Sequence, residues 1–312
     1  MRKVKNRWFL ELTGAIFGRK SHFEAVLWKC DAIIYLMRYE TIQNLHIPKV
    51  GFGTWTIGGR EAPDLSQDGH SLAVLRSALE TGYTHFDTAE YYAGGHAEEL
   101  LGQSIRDLRL ERQNLFITSK VSPEHLNYED VLRCCTNSLR RLNMDYLDLY
   151  LIHWPQMGMK LAETFRALNQ LVREGRVRHL GVSNFNLKLL QQSASLSETP
   201  LLTNQVPYSL PDRQYQQNGV LEYCQKNDIL LTAYSPVKPR VVSSKTAVHA
   251  EIARERGITA HQVALAWLVM QERVITIPKA SSPEHQRENL ASADIILNPE
   301  EMERLNRAWA HL

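Results

Sequence analysis

Three observations predict an α/β chain whose strands close into a single (β/α)8 barrel. After Met37, apolar runs of strand length recur eight times with helical patterns between them. Three of those runs end in a polar residue at a constant interval of 33 residues, at Asp87, Lys120 and His153. That interval is about the length of one strand, helix and return in a parallel unit. The rival architecture, a doubly wound sheet that binds a dinucleotide, demands Gly-x-Gly-x-x-Gly after its first strand. Gly51-Phe52-Gly53-Thr54-Trp55 and Gly58-Gly59 do not fit that spacing. An Asp, a Lys and a His at equivalent places on neighbouring strands would face one another across a small space.

The elements follow in order. Thr41 to Ile47 and Lys49 to Thr54, separated by Pro48, read as a short β-hairpin closing the barrel floor and a first barrel strand. Leu72, Leu75, Ala78 and Leu79 fall at helical spacing and stop at Gly82. The strand ending at Asp87 leads to a helix from about His96 to Leu108. The strand Leu115 to Lys120 leads to a helix from about Tyr128 to Leu142. The strand from Leu147 to Trp154 precedes a helix from Leu161 to Glu174, which Gly175 ends. Further strands are expected at Leu180 to Val182, Leu201 to Val206, Ile229 to Ala233 and Val274 to Ile277, and a last helix at Pro299 to Ala308.

Composition narrows the function. The 312 residues are 44% hydrophobic and 22% charged, an ordinary globular balance. The net charge of +2 is uneven: residues 1–36 carry seven Lys and Arg against three acids, which leaves the remainder slightly acidic. A body without a basic field argues against nucleic acid as a partner, and no apolar run approaches the roughly 20 residues of a membrane span. Cys30, Cys134, Cys135 and Cys224 show neither a Cys-x-x-Cys pair nor zinc spacing. Reduced thiols in a cytoplasmic protein are expected. Residues 1–36 are read as a basic extension, disordered or a start-site artefact, and residues 37–312 as the barrel. Their apolar pieces are interrupted by charge, unlike a cleaved leader.

In a barrel the site lies at the carboxyl ends of the strands. That gives Asp87, Lys120, His153, Ser183, Asn184, Gln205, Tyr234, Ser235 and Lys279 as candidates. On spacing alone Asp87 and Lys120 could equally be a structural ion pair and His153 a structural residue, and Tyr91 competes with Tyr92 as a proton donor. A hydrolase using a metal would need His-x-His and carboxylate clusters that are missing here, so no metal is expected.

Seven motifs occur in a fixed order: Gly51-Phe52-Gly53-Thr54-Trp55, Asp87-Thr88-Ala89-Glu90-Tyr91-Tyr92, Ile117-Thr118-Ser119-Lys120, Leu151-Ile152-His153-Trp154-Pro155, Gly181-Val182-Ser183-Asn184-Phe185, Ala233-Tyr234-Ser235-Pro236 and Ile277-Pro278-Lys279. In this ordered set the chain resembles the aldo-keto reductases, barrel enzymes that reduce carbonyls with a nicotinamide cofactor, from about Pro48 to Trp309. The bacterial members, with short loops and an open site, are the nearest in kind. The resemblance implies a catalytic tetrad of Asp87, Tyr92, Lys120 and His153.

Hydride arriving at a carbonyl carbon leaves charge on its oxygen, so a donor must stand within hydrogen-bond reach. A Tyr near pKa 10 is a weak acid, and a neighbouring Lys favours its phenolate while an Asp holds the Lys. Tyr92 is then the acid, Lys120 its tuner, Asp87 the anchor, and His153 the group that orients the carbonyl. The resemblance further implies cofactor contacts from Gly53, Thr54, Trp55 and Asp87. It places Ser183, Asn184 and Gln205 on the carboxamide, Tyr234 on the nicotinamide ring and Ser235 on the pyrophosphate. At the adenosine end it gives Lys279, Ser282, Glu288 and Asn289. Members preferring NADP usually carry Arg where His285 stands, and a His lacks that fixed charge and fork. NADPH is expected, with NADH admitted.

Trp55, Tyr92, His153 and Trp154 would wall the substrate. A short connection from Pro155 to Leu161 and an end at Leu312 soon after the last helix suggest an open pocket for small aldehydes, dicarbonyls and sugar-derived carbonyls. The expected partner is thus a small carbonyl compound, and the protein a monomer or weak homo-oligomer. A second reading comes from the same resemblance, because some members act as nicotinamide-binding regulatory subunits with little turnover.

Overall fold

The computed structural model describes residues 39–237 and 246–309. The extension expected over residues 1–36 lies outside them. The described chain opens with the expected antiparallel hairpin, β1 (Tyr39–Ile42) and β2 (Leu45–Pro48), which starts two residues before the Thr41 to Ile47 stretch and runs one residue past it. Its turn residues Gln43 and Asn44 both have positive φ, 47° and 65°, the left-handed pair that suits a two-residue hairpin loop. The hairpin does close the floor. Ile42 and Ile47 pack against Leu149, Leu151, Leu202, Leu230 and Ile275 from the barrel strands, and the Gln43 amide donates to the carbonyls of Leu201 and Asp228.

Eight parallel strands follow: β3 (Phe52–Gly53), β4 (His85–Asp87), β5 (Phe116–Val121), β6 (Leu147–Ile152), β7 (Val177–Ser183), β8 (Thr203–Pro207), β9 (Leu230–Tyr234) and β10 (Val274–Thr276), each bonded to its sequence neighbour. The ring closes where β3 meets β10. Val50 bridges Thr276, the Gly51 amide donates to the Thr276 carbonyl at 2.8 Å, and the Thr276 amide donates to the Lys49 carbonyl at 2.8 Å. A glycine is required at this seam, since a Cβ on Gly53 would stand 2.7 Å from the Ile277 carbonyl oxygen.

The helices form the outer layer: α1 (Asp68–Thr81), α2 (His96–Asp107), α3 (Tyr128–Leu142), α4 (Leu161–Arg173), α5 (Leu187–Leu196), α6 (Gln214–Gln217), α7 (Val220–Lys226), α8 (Thr246–Arg256), α9 (Ala260–Val269), α10 (Pro283–Ala291) and α11 (Pro299–Ala308). Gly82 ends α1 with φ 106° and its amide on the carbonyls of Ala78 and Leu79, a left-handed C-cap. The pleat sends successive residues of β5 to opposite faces. Ser119 turns outward and donates to Glu98 of α2, which also takes the Nε of Arg141 from α3, while Lys120 turns into the barrel.

Sequence periodicity did not indicate α9, and its burial explains why. All of Val263–Val269 is buried, and a helix covered on every side has no apolar stripe to read. Its N-terminus does carry a local signal, a capping box between Thr259 and Gln262.

The contact between α2 and α3 is set by Gly102, where a Cβ would fall 2.3 Å from the Leu142 carbonyl oxygen. Gly102→Ala is expected to destabilise by about 1–3 kcal/mol through overpacking. In contrast, Gly69→Ala in the open first turn of α1, with nothing within 4 Å, should gain up to about 1 kcal/mol. Urea unfolding of both variants checks the pair.

Candidate active site

The register delivers the charged residues to one end of the barrel. Asp87 pairs with Thr118 and Lys120 with Leu151, so each 33-residue step lands two places further along the next strand, on the same face. His153 stands one residue beyond β6, its amide donating to the Val121 carbonyl at 3.0 Å. Lys120 has no solvent exposure. Its ammonium donates to Asp87 Oδ1 at 2.5 Å, the Thr88 carbonyl at 2.8 Å and Tyr92 Oη at 3.2 Å. The second Asp87 oxygen accepts from Gln205 Nε2 at 2.7 Å.

Tyr92 begins the 3-10 turn Tyr92–Gly95, whose Ala93 takes φ 51°. The Tyr92 ring meets those of His153 and Trp55 edge to face, at 5.6 and 5.1 Å between centroids. Tyr91, the rival donor, also lines the cleft and meets the His153 ring edge to face at 6.2 Å, but the Lys120 ammonium bonds Tyr92. Tyr91 is 39% exposed, stacks parallel to Trp55 at 6.2 Å and bonds Glu61.

Electrostatics assign charge states. Burial works against the Lys120 cation, yet Asp87 and Tyr92 outweigh it and hold the ammonium above its ordinary range. Burial pulls His153 down to about 3, and Lys120 pushes the same way. The imidazole is therefore neutral at working pH. For Tyr92 the net direction corrects the expectation: burial raises the phenol and Lys120 offsets only part of that rise. The hydroxyl keeps its proton at neutral pH.

Beside these residues runs a cleft of about 730 Å³, within the range of small-molecule sites. Gly53, Trp55, Asp87, Ser183, Asn184, Gln205, Tyr234, Ser235, Lys279 and Asn289 line it, as does Trp154 at the carbonyl end. Asn184 is held at φ 65°. Its amide nitrogen donates to Ser183 Oγ and the His153 carbonyl, and its oxygen accepts from Tyr234 Oη. Lys279 Nζ reaches across to Thr56 Oγ1 at 2.6 Å, and among the described residues no carboxylate accompanies it. An unneutralised cation at the rim, beside a ladder of amides and an aromatic ring, fits a dinucleotide with a phosphate at that end.

Three expected contacts are not brought to the cleft wall. Thr54 is buried with its hydroxyl on the Asp87 carbonyl at 3.0 Å. Ser282 caps α10 by accepting from the His285 amide, and Glu288 pairs with the His285 ring at 2.8 Å. Conversely, Thr56, Pro123, Glu124, Val237 and His261 line the cleft although they lie outside the motifs. Thr56, with φ 71°, was the most accessible to sequence reasoning, two residues past the first strand.

A barrel whose strand ends carry this constellation has the build of an enzyme working at its C-terminal face. A model of the Aldo/keto reductase family matches residues 49–310. Methylglyoxal reductase YeaE of Escherichia coli is 37% identical over 271 residues, covering 85% of this chain and 92% of that protein. Glyoxal reductase of Bacillus subtilis is 34% identical over 264 residues, covering 84% and 89%. Among solved structures, an aldo/keto reductase from Klebsiella pneumoniae in complex with NADP and acetate superposes with a TM-score of 0.78 at 37% identity, over 88% of this chain and 95% of that one. A thermostable aldo-keto reductase in complex with the inhibitor epalrestat gives 0.85 at 47% identity, over 87% and 100%. The chain belongs to the aldo/keto reductase family. It is an NAD(P)H-dependent oxidoreductase that reduces carbonyl compounds.

One consequence for stability lies beneath the site. His85, 1% exposed, touches Thr118 Oγ1 through Nε2 and is pulled to about 3 by burial and then by Lys120. An unfolded His titrates near 6.5, so as pH falls from about 6.5 toward about 3 the unfolded chain takes up a proton that the folded one refuses, and stability drops. His85→Gln, or His85→Asn if the longer amide does not fit, should flatten that dependence by up to about 1.4 kcal/mol per pH unit. Urea unfolding at about pH 6 and about pH 5 reads the slope.

Proposed function

We propose that the protein reduces small, uncharged aldehydes and dicarbonyls, with sugar-derived carbonyls as further substrates, using NADPH and with Tyr92 as the general acid. The observation that carries the reading is the position of Tyr92 Oη, 3.2 Å from a fully buried Lys120 that Asp87 anchors. Bound in the cleft, the reduced nicotinamide supplies the hydride. Tyr92 gives its proton to the carbonyl oxygen as charge develops there. Lys120 steadies the phenolate left behind, and Asp87, tied to Gln205, keeps Lys120 in place. Neutral His153 serves as a hydrogen-bond donor that orients the carbonyl without adding a charge. Ser183, Asn184 and Gln205 would hold the carboxamide, Tyr234 the ring, and Ser235 the pyrophosphate.

NADPH is preferred to NADH in this reading because Lys279 is available for a 2′-phosphate. His285, exposed and raised by its bond to Glu288, contributes less than an Arg would. The wide mouth between Trp55 (38% exposed) and Trp154 (47% exposed) favours small substrates of varied shape. Glu124 on the same wall disfavours carbonyls that carry a carboxylate. Buried, unpaired Cys134, Cys135 and Cys224 accord with a reducing, cytoplasmic setting.

Tyr92→Phe is expected to lower kcat by about 10²- to 10⁴-fold while the NADPH dissociation constant stays nearly unchanged; a fully active variant would remove Tyr92 from the role. In the wild type, kcat/KM for reduction should show no inflection near the ordinary imidazole pKa, since His153 stays neutral down to about 3, and should fall only as alkaline pH deprotonates the raised Tyr92.

Lys279→Met should raise KM for NADPH by about tenfold or more, the worth of a charge-assisted phosphate contact, and leave KM for NADH alone. Equal effects on both cofactors would overturn the phosphate assignment. Glu124→Gln should improve glyoxylate relative to methylglyoxal by about two- to fivefold, a small factor because the side chain is screened by solvent.

A further inference from the structure

Outside the catalytic groups, three ligand-type side chains converge from three separate elements. Glu90 comes from the loop after β4, His125 from the 3-10 turn Pro123–His125 after β5, and Cys134 from α3. One ligand atom from each lies within 4.8 Å of the other two. Glu90 Oε1 is 3.0 Å from His125 Nδ1, and the Glu90 carboxylate also contacts the Cys134 thiol.

Burial is graded across the trio. Cys134 is 3% exposed, the Glu90 side chain 8% and the His125 side chain 41%. A path for an ion therefore opens on the His125 side, where solvent can complete a coordination shell.

We propose that Glu90, His125 and Cys134 form a binding site for a zinc-class divalent cation. A carboxylate oxygen, an imidazole nitrogen and a thiolate sulfur, with water in the fourth position, make a donor set suited to tetrahedral Zn²⁺. Metal–ligand bonds of about 2.0–2.3 Å bring such ligands roughly 3–4 Å from one another, so small side-chain rotations from the observed arrangement suffice. Binding breaks the S–H bond of Cys134 and releases its proton to solvent as the metal–sulfur bond forms, with no change of oxidation state. Coordination uses the Glu90 carboxylate, held ionised, and the lone pair of a His125 ring nitrogen.

The site lies behind the catalytic cleft. Glu90 stands two residues before Tyr92, and Pro123 and Glu124, next to His125, line the cleft wall. An ion here would join the loop carrying Tyr92 to the loop carrying Glu124. The competing arrangement is a metal-free clamp, in which Glu90 only accepts the Ser122 amide, at 2.7 Å, together with His125 and Cys134.

Titrating metal-free, full-length protein with Co²⁺ tests the proposal, because a Co²⁺–thiolate bond gives a charge-transfer band in the near ultraviolet. A band saturating at one equivalent, lost in Cys134→Ser, weakened about tenfold or more in His125→Ala and displaced by Zn²⁺, supports the site. No band, or one unchanged in Cys134→Ser, overturns it and leaves the clamp. His125→Ala removes an exposed ring, so its retained NADPH binding shows that the fold persists while the metal affinity falls.

Discussion

A lysine ammonium with no access to water governs the structure above the barrel floor. Moving such a charge out of solvent costs several kcal/mol unless geometry and hydrogen bonds offset it. Lys120 meets that demand with three oxygens, one of them the ionised Asp87 and another the Tyr92 hydroxyl. Asp87 in turn needs a donor for its second oxygen, and the chain brings Gln205 from four strands away. The demand of one buried cation thus reaches across the barrel mouth and fixes the tyrosine that faces the cleft.

Part of the backbone strain lies in the same region. Thr56, Ala93, Asn184 and Ser235 all have positive φ without being glycine, a conformation that costs about 1–3 kcal/mol each. Thr56, Asn184 and Ser235 line the cleft, and Ala93 follows Tyr92 directly. Asn184 and Ser235 sit directly past a strand, and bonds hold the backbone in place where the Asn184 amide donates to the Gln205 carbonyl at 2.9 Å and the Ala93 amide to the Arg60 carbonyl at 2.6 Å. The close-packed barrel keeps these residues where relaxed loops would not.

The barrel was legible in the sequence because its register repeats. Asp87, Lys120 and His153 recur at the length of one unit, and the structure adds Thr54 at the same interval, bonded to the Asp87 carbonyl. Side chains whose partners lie far along the chain were less legible. The family resemblance placed Gln205 on the cofactor; in the fold its amide donates to Asp87, a pairing of residues 118 apart that no local pattern encodes. Ser282 and Glu288 illustrate the opposite case, with local cap and i,i+3 bonds absorbing polar groups read as contacts. The helices α8 and α10 lacked a clean amphipathic period, and α9 had none to show with all of Val263–Val269 buried.

The direction of the Tyr92 shift was also hidden, because it depends on how two opposing effects balance. A cation nearby lowers a phenol and burial raises it; here burial is the larger. The same pair of effects acts on histidine with a common sign, since burial and a neighbouring cation both oppose an imidazolium. His153 and His85 are accordingly both held near 3, with burial first and Lys120 second. One buried ammonium therefore acts on both neighbouring histidines as well as on Tyr92. Together with burial it keeps His153 uncharged beside Tyr92, so that a carbonyl approaching that end of the cleft would meet a protonated phenol and a neutral imidazole across the whole neutral range. Such a site gains polarity from its hydrogen-bond donors without changing its charge with pH.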